Sequence, residues 1–396
     1  MLRRLIAIAF LFSGASIAWM ILGNTIVDRT HTSDEKLRGR VQSLWGSAQT
    51  QAAPFAECNE AAPDHSKNLI LSPAGSDIEV QLSSEPRRKG LLWYATYKVA
   101  FLGRYEFRND FEHPATFHLS LRLPAAQAVY DDLQFIVNGH AVTPIVTGDT
   151  AYVPVTMQPN QGLHLQVGYR SQGLDTWKYS FGENVNAVRN FHLRMATDFQ
   201  DIDFPDNTLA PTEKINLNGG WRLDWNYRNL LSGYSIAMAM PQRIQPGPLA
   251  SEISFFAPVS LFFFLFLMFI IATLRDIDLH PMNYFFLCGA FFAFHLLLAY
   301  LVDHVDVHVS FVISAVVSVL LVVTYLRLVV GVRFALREAA LAQFLYLVLF
   351  SYAFFFQGFT GLAITIGAII TLFAAMQMTG RIRWSEKFSI SPSTAD

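Results

Sequence analysis

Residues Ile253–Leu274 read ISFFAPVSLFFFLFLMFIIATL, without a single Lys, Arg, Asp or Glu. A helix needs about 20 apolar residues to cross the hydrocarbon core of a bilayer, so this stretch reads as a membrane span. Four more follow toward the C-terminus, at Met282–Val302, Val309–Val330, Ala340–Gln357 and Phe359–Met378. In the other direction the chain is mostly polar back to Asn24. There Leu5–Gly23, LIAIAFLFSGASIAWMILG, forms one more apolar block behind Arg3 and Arg4. The pattern predicts a membrane α-helical protein with six transmembrane helices, arranged one plus five. A large extracytoplasmic β-rich, sandwich-like domain is inserted between helices 1 and 2. The expected divisions are an N-terminal anchor (1–24), a β-rich domain (25–252), a five-helix bundle (253–380) and a tail (381–396).

Leu5–Gly23 is longer than the apolar core of about 7–15 residues typical of a signal peptide, and it ends in Trp19-Met20-Ile21-Leu22-Gly23-Asn24, a poor cleavage site. An uncleaved anchor is expected. Only 15% of the 396 residues are charged, against about 25% in soluble domains, which fits a chain partly in lipid. With a net charge of −2 and no basic run, nothing suggests nucleic acid as a partner, and none is expected. Cys58 lies in the polar region and Cys288 in an apolar block, so no disulfide framework is expected.

Orientation follows from the basic residues of the short loops. If Arg3 and Arg4 are cytoplasmic, then Arg275, then Arg327, Arg333 and Arg337, then Arg381, Arg383 and Lys387 also fall inside. The outside loops, Asp303–His308 and Gln357–Gly361, carry no Lys or Arg. Both termini are therefore expected in the cytoplasm and residues 25–252 in the periplasm.

That region reads as strands. Phe117-His118-Leu119-Ser120-Leu121-Arg122-Leu123 alternates apolar and polar, as a half-buried strand does. Gln134–Val137 runs into Asn138-Gly139, a strong hairpin signal. Tyr152–Val155 and Leu163–Tyr169 are further strands on either side of Pro159–Gly162, and Trp93–Phe107 alternates too. Short strands with turn signals between them indicate a sandwich. Thr32–Leu44 is the one helix expected here, a charged stalk leaving the membrane.

Val41–Ala53 with Trp45, Gly46 and Gln49, the run Arg88–Phe107 and the His280-Pro281 opening of Leu279–Val302 together resemble the CreD family of bacterial inner-membrane proteins. Val41–Ala53, VQSLWGSAQTQAA, carries the WGxxQ pattern in Trp45, Gly46 and Gln49. Arg88–Phe107, RKGLLWYATYKVAFLGRYEF, is similar to a second family run. Leu279–Val302 opens with His280-Pro281 and Tyr284, an HPxxY motif, and leads into Asp303-His304. Arg381-Ile382-Arg383-Trp384 is similar to the family's basic-Trp ending. The chain departs from the pattern after WGxxQ, where Ala-rich sequence replaces GPxxxIPY, so it resembles a divergent member. The resemblance implies a role in cell-envelope integrity or stress tolerance, and it supplies no catalytic residues.

Asp303, His304, Asp306 and His308 are four potential metal ligands in six residues. Their spacing matches no defined zinc motif, and a solvated outside loop explains them as well. His295, inside the third span, reads as a proton- or substrate-handling group or as a neutral interhelical hydrogen-bonding group. His280 before Pro281 reads as a helix start. Arg327, with Arg333, Arg337 and Glu338, reads as an orientation signal or as a site for anionic lipid headgroups. Trp177, Trp221, Trp225, Tyr179 and Tyr227, with Asp201, Asp203 and Asp206, are normal sandwich core and turn chemistry, with glycan binding as the alternative. No nucleophile elbow, phosphate loop or HExxH is present, so no catalytic residue, cofactor or metal is assigned.

The expected function is non-enzymatic: a periplasmic β-domain contacts an envelope component, and the bundle anchors it. The partners in view are the bilayer and envelope proteins, lipids or glycans. The alternative is transport or lipid handling by the C-terminal bundle, centred on His295. A third class is an envelope enzyme using Asp201, Asp203 or Asp206.

Overall fold

The computed structural model describes residues 2–58, 69–90, 92–125, 128–182, 187–356 and 358–380. The expected tail with Arg381, Arg383, Trp384 and Lys387 lies outside these residues, as do the side chains of Arg3 and Arg4. The chain divides into two compact units: Met1–Asp34, Gly90–Leu92 and Ile244–Asp396 form one, Glu35–Lys89 and Trp93–Arg243 the other.

Among the described residues six helices are long and apolar enough to cross a membrane. Helix α1 runs unbroken over Leu2–Trp45. The charged stalk expected at Thr32–Leu44 is therefore the continuation of the first span. No proline interrupts it, and Gly46 ends it at φ +96°, a left-handed C-terminal stop that glycine adopts without steric penalty. The others are α2 (Pro246–Leu274), α3 (Pro281–Leu301), α4 (Val307–Val329), α5 (Val332–Phe355) and α6 (Thr360–Thr379).

Two spans start about two turns earlier than expected. α2 begins at Pro246 rather than Ile253, because proline suits a first helical turn, where its missing N–H has no partner to lose. α5 begins at Val332 rather than Ala340, directly after Gly331 at φ +126°. Arg333, Arg337 and Glu338 are thus helical, and Glu338 makes an ion pair at 2.5 Å with Arg275 after α2.

α5 is irregular. It is π-helical over Ala335–Ala339 and Phe344–Leu349 and ends in a 3₁₀ turn at Ala353–Phe355. A π-segment misaligns the backbone ladder, and side chains from neighbouring helices engage it. The Ser260 hydroxyl donates to the Tyr346 carbonyl. Gln343 Nε2 donates to Ser318 Oγ at 2.7 Å, and Ser318 donates to the Ala290 carbonyl at 2.6 Å. These bonds tie α5 to α4 and α4 to α3 in a setting where side chains and neighbouring helices must satisfy whatever polar groups a span exposes.

The other unit is built of strands: β1 (Gln49–Ala52), β2 (Phe55–Cys58), β3 (Leu69–Leu71), β4 (Gly75–Ser84), β5 (Arg87–Lys89), β6 (Leu92–Tyr94), β7 (Thr96–Arg108), β8 (Ala115–Arg122), β9 (Tyr130–Val137), β10 (His140–Ala141), β11 (Ile145–Thr147), β12 (Thr150–Met157), β13 (Gly162–Leu174), β14 (Thr176–Ser180), β15 (Ala187–Thr197), β16 (Glu213–Leu217), β17 (Gly220–Leu231) and β18 (Ile236–Ala239). The main sheet has eight strands in the order β10-β9-β13-β7-β4-β15-β17-β16. It is antiparallel except for β4 beside β15. A five-stranded sheet, β11-β12-β8-β2-β3, and a three-stranded sheet, β1-β14-β18, accompany it.

The sheets are open and share one core. Ile78, Val80, Val99, Phe101, Val167 and Leu193 of the large sheet meet Phe117 and Leu119 of β8 and Trp177 and Met238 of the small sheet, all buried. That is the layered packing expected of a sandwich. Asn138 and Gly139 take φ +49° and +82° and close the β9–β10 hairpin, the positive-φ pair of a two-residue turn.

Candidate functional site

Alternation puts one face of each strand in this core and the other in solvent. On β4 the buried apolar side chains are Ile78, Val80 and Leu82, so Asp77, Glu79, Gln81 and Ser83 point outward. Register then assembles rows across the large sheet. Arg104 on β7 stands opposite Asp77, and His192 on β15 stands on the other side of Asp77. One step along, Glu79 neighbours Arg194, which faces Asp224 of β17.

These side chains are joined. Arg104 donates to Asp77 at 3.1 Å and to Glu79 at 3.0 Å. His192 reaches Asp77 through Nδ1 at 2.9 Å and Asp224 through Nε2 at 3.3 Å. Asp224 also accepts from Arg194 at 3.2 Å and pairs with Arg222 at 3.3 Å. Asp224 is 8% exposed, so it acts as the buried anchor of three cationic or protonatable groups. The Glu79 hydrogen bond, with Asp77 behind it, raises the Arg104 pKa above its ordinary value.

Two clefts open on this outer face. One, of about 590 Å³, is lined by Asp77, Arg104, Glu106, His164, Asn190 and His192. The other, of about 510 Å³, is lined by Gln81, Ser83, Lys98, Arg170, Gln172 and Asp198. Planar guanidinium, carboxylate and amide groups side by side can hold hydroxyls, amides or carboxylates by paired hydrogen bonds. Both nitrogens of His192 are taken by carboxylates, so the ring is braced rather than offered to a nucleophile.

This face was not legible in the sequence. Its signal was the alternation Asp77-Ile78-Glu79-Val80-Gln81-Leu82-Ser83, which shows the polar edge of β4 but not its neighbours. The aromatics expected either in the core or at a glycan are placed differently. Trp177, Tyr179 and Trp225 are fully buried, which overturns the glycan reading for these three. Their area fills the core, and the Trp225 indole donates to the Leu209 carbonyl at 2.9 Å. Trp221 donates to the Gln200 carbonyl at 2.9 Å, and Tyr227 to that of Ala210 at 3.5 Å. Asp203 sits in a backbone bridge to Ala239, and Asn207, beside Asp206, has φ +60°, so this acidic cluster is turn chemistry.

Four core phenols, Tyr97, Tyr105, Tyr169 and Tyr179, have pKa values driven up by burial. They serve as hydrogen-bond donors: Tyr97 to the Thr176 carbonyl and Tyr169 to Gln51 Oε1, each at 2.8 Å.

In the helical unit the loop candidates are engaged separately. Asp303 pairs with Arg29. Asp306 caps α4 by accepting from the His308 amide at 2.9 Å. The His308 ring lies 4.9 Å from that of Phe355, and His304 is exposed. Among the described residues no three His, Cys, Asp or Glu side chains converge as a metal set. His280 caps α3, its Nδ1 accepting from the Met282 amide at 3.2 Å, with Pro281 in the first turn. Arg327, Arg333 and Arg337 are exposed. His295 is buried, with Nδ1 3.1 Å from the Phe291 carbonyl and its ring 5.4 Å from Trp19.

Span-length helices in a one-plus-five order around an inserted β-rich unit define a polytopic membrane protein with one large domain outside the bilayer. The chain belongs to the CreD family: the profile described as "Inner membrane protein CreD" matches residues 1–385. The motifs that carry the resemblance have structural reasons. Trp45 ends α1 beneath the Arg87 guanidinium, 3.2 Å from its ring. Gln49 is buried and donates to Ser171 Oγ and the Gln172 carbonyl, each at 2.8 Å. A comparison with curated proteins finds no match. Among solved structures the chain is similar to a candidate nutrient-binding protein of Legionella pneumophila (10% identity, TM-score 0.34, 55% of this chain and 76% of that one). It is also similar to an M1 zinc metallopeptidase of Deinococcus radiodurans (11%, TM-score 0.26, 43% and 42%). Similarities this low carry no functional argument.

Proposed function

We propose that this protein supports envelope integrity without catalysis, by holding an envelope component on the outer face of its eight-stranded sheet. In this reading the β-rich domain lies in the periplasm, both termini lie in the cytoplasm, and the bundle anchors the domain. The observation that carries the reading is the braced row Arg104–Asp77–His192–Asp224 beside two clefts. Paired charges held across four strands, from exposed Arg104 to buried Asp224, form a surface suited to polar recognition, with both His192 nitrogens engaged by carboxylates.

The test is chromosomal replacement by a triple variant, Asp77→Ala, Arg104→Ala and His192→Ala. At normal protein levels it should grow as poorly as a deletion strain under detergent, bile-salt and cell-wall-antibiotic stress. Wild-type growth of both strains in every condition would sink the proposal. Orientation is tested separately: a cysteine placed at exposed Glu213 should label from the periplasmic side, since the two native cysteines are buried.

A second reading, transport or lipid handling, is favoured by buried His295 within a span. It requires His295→Leu to lose function at normal protein levels.

A further inference from the structure

Trp19 of α1 and His295 of α3 are buried at 0% and 1% exposure, and their rings meet edge to face with centroids 5.4 Å apart. Phe291 and Phe294, both buried, flank the imidazole, and Phe292 packs against the indole at 5.4 Å. In this apolar setting two polar atoms have no hydrogen-bond partner: Trp19 Nε1 and His295 Nε2. They are complementary. An indole N–H can only donate. His295 Nδ1 lies 3.1 Å from the Phe291 carbonyl, and a carbonyl can only accept, so Nδ1 carries the proton. In the neutral ring Nε2 is then an acceptor. A donor and an acceptor on adjacent rings, unbonded to each other, present the two halves of a hydroxyl site.

We infer that Trp19 and His295 form an intramembrane site for one neutral hydroxyl group, which accepts from the indole N–H and donates to imidazole Nε2. Unsatisfied polar groups within a bilayer are strongly disfavoured, and a hydroxyl satisfies both here without introducing charge. The hydroxyl comes from water or from the alcohol end of a lipid. The site lies in the helical unit, and its fate is separate from that of the β-sheet face.

The test uses the full chain purified in mild detergent from native membranes. Ultraviolet resonance Raman difference spectra, wild type minus Trp19→Phe, isolate the Trp19 band that reports indole N–H hydrogen bonding. The expected result is a bonded indole in the wild type, a free indole in His295→Leu, and a bonded indole again in His295→Gln, which restores an acceptor. A free indole in the wild type overturns the inference, as does a bonded one unchanged in His295→Leu. A ¹⁵N–¹⁵N coupling between Trp19 Nε1 and His295 Nε2 also overturns it, because a direct bond leaves no place for a hydroxyl. Native mass spectrometry then separates the sources. A hydroxyl lipid kept by the wild type and lost in Trp19→Phe identifies the alcohol; a bonded indole with no lipid retained identifies water.

Discussion

The Arg29 guanidinium of α1 pairs with the Asp303 carboxylate just beyond α3, while Trp19 on the same helix meets His295 on the same partner. Contact positions advance together along both helices, so α1 and α3 run parallel. Arg29 also lies over the Tyr300 ring at 5.1 Å, and Gly23 leaves room for the Phe255 ring of α2. The first span is therefore seated in the bundle.

That seating predicts measurable coupling. Arg29 and Asp303 are 30% and 24% exposed, so the pair is partly shielded and worth about 1 kcal/mol. Arg29→Met and Asp303→Asn should each lower the melting temperature in nanodiscs, and the double variant should be no worse than either single one. Strictly additive losses would show that the pair contributes nothing.

Asp224 gives a second prediction. It is the near-buried acceptor for His192, Arg194 and Arg222. Asp224→Asn leaves these groups without their anion and should destabilise the β-rich unit by about 1–3 kcal/mol. Glu79→Gln, at a carboxylate 46% exposed, should change stability far less. Denaturant titration of both variants makes the comparison, and equal effects would contradict the role assigned to Asp224.

Gly46 gives a third. Its φ of +96° is unfavourable for any residue with a Cβ, and a Cβ there would press on the Gln172 carbonyl. The left-handed penalty alone is about 1–2 kcal/mol. Gly46→Ala should lower stability by at least that much, whereas Gly39→Ala, within α1 and with open space around it, should be neutral or stabilising.

The buried phenols set an alkaline limit. Tyr105, Tyr169 and Tyr179 ionise well above their unfolded values because burial disfavours phenolate, and Tyr130 is pushed up to about 12 for the same reason. Below the unfolded pKa of about 10 both states are protonated, so the stability these phenols give is fully present. As pH rises past that value the unfolded chain loses protons first, and stability falls toward the folded pKa by about 1.4 kcal/mol per pH unit for each phenol. Chemical denaturation should show a flat profile from pH 8 to 9.5 and a steep decline above it. Tyr105→Phe should make that decline shallower.

The sequence by itself determined what depends on near neighbours. Hydropathy runs marked every span, because lipid imposes its requirement over about 20 consecutive residues. Period-two alternation marked β7 and β8, and Asn138-Gly139 marked a turn that few other pairs make without strain. Pro281 and His280 marked a helix start. The start of α5 was less legible, since Arg333 and Arg337 read as loop, whereas the helix begins at Val332, directly after Gly331.

Only the tertiary structure decided which distant residues meet. Nothing local to Asp77 points to Arg104, His192 or Asp224; their meeting depends on the pairing of β4 with β7 on one side and β15 on the other, and on register. Trp177 and Trp225 could have been platforms or core until sheet packing buried them. His295 stood out in sequence as an ionisable group within a span, but its partner Trp19 lies in the first helix, across the whole inserted domain. The reason is the same in each case: strand register and helix docking are set by the free energy of burying whole faces, summed over residues remote in the chain, and no local pattern carries that sum.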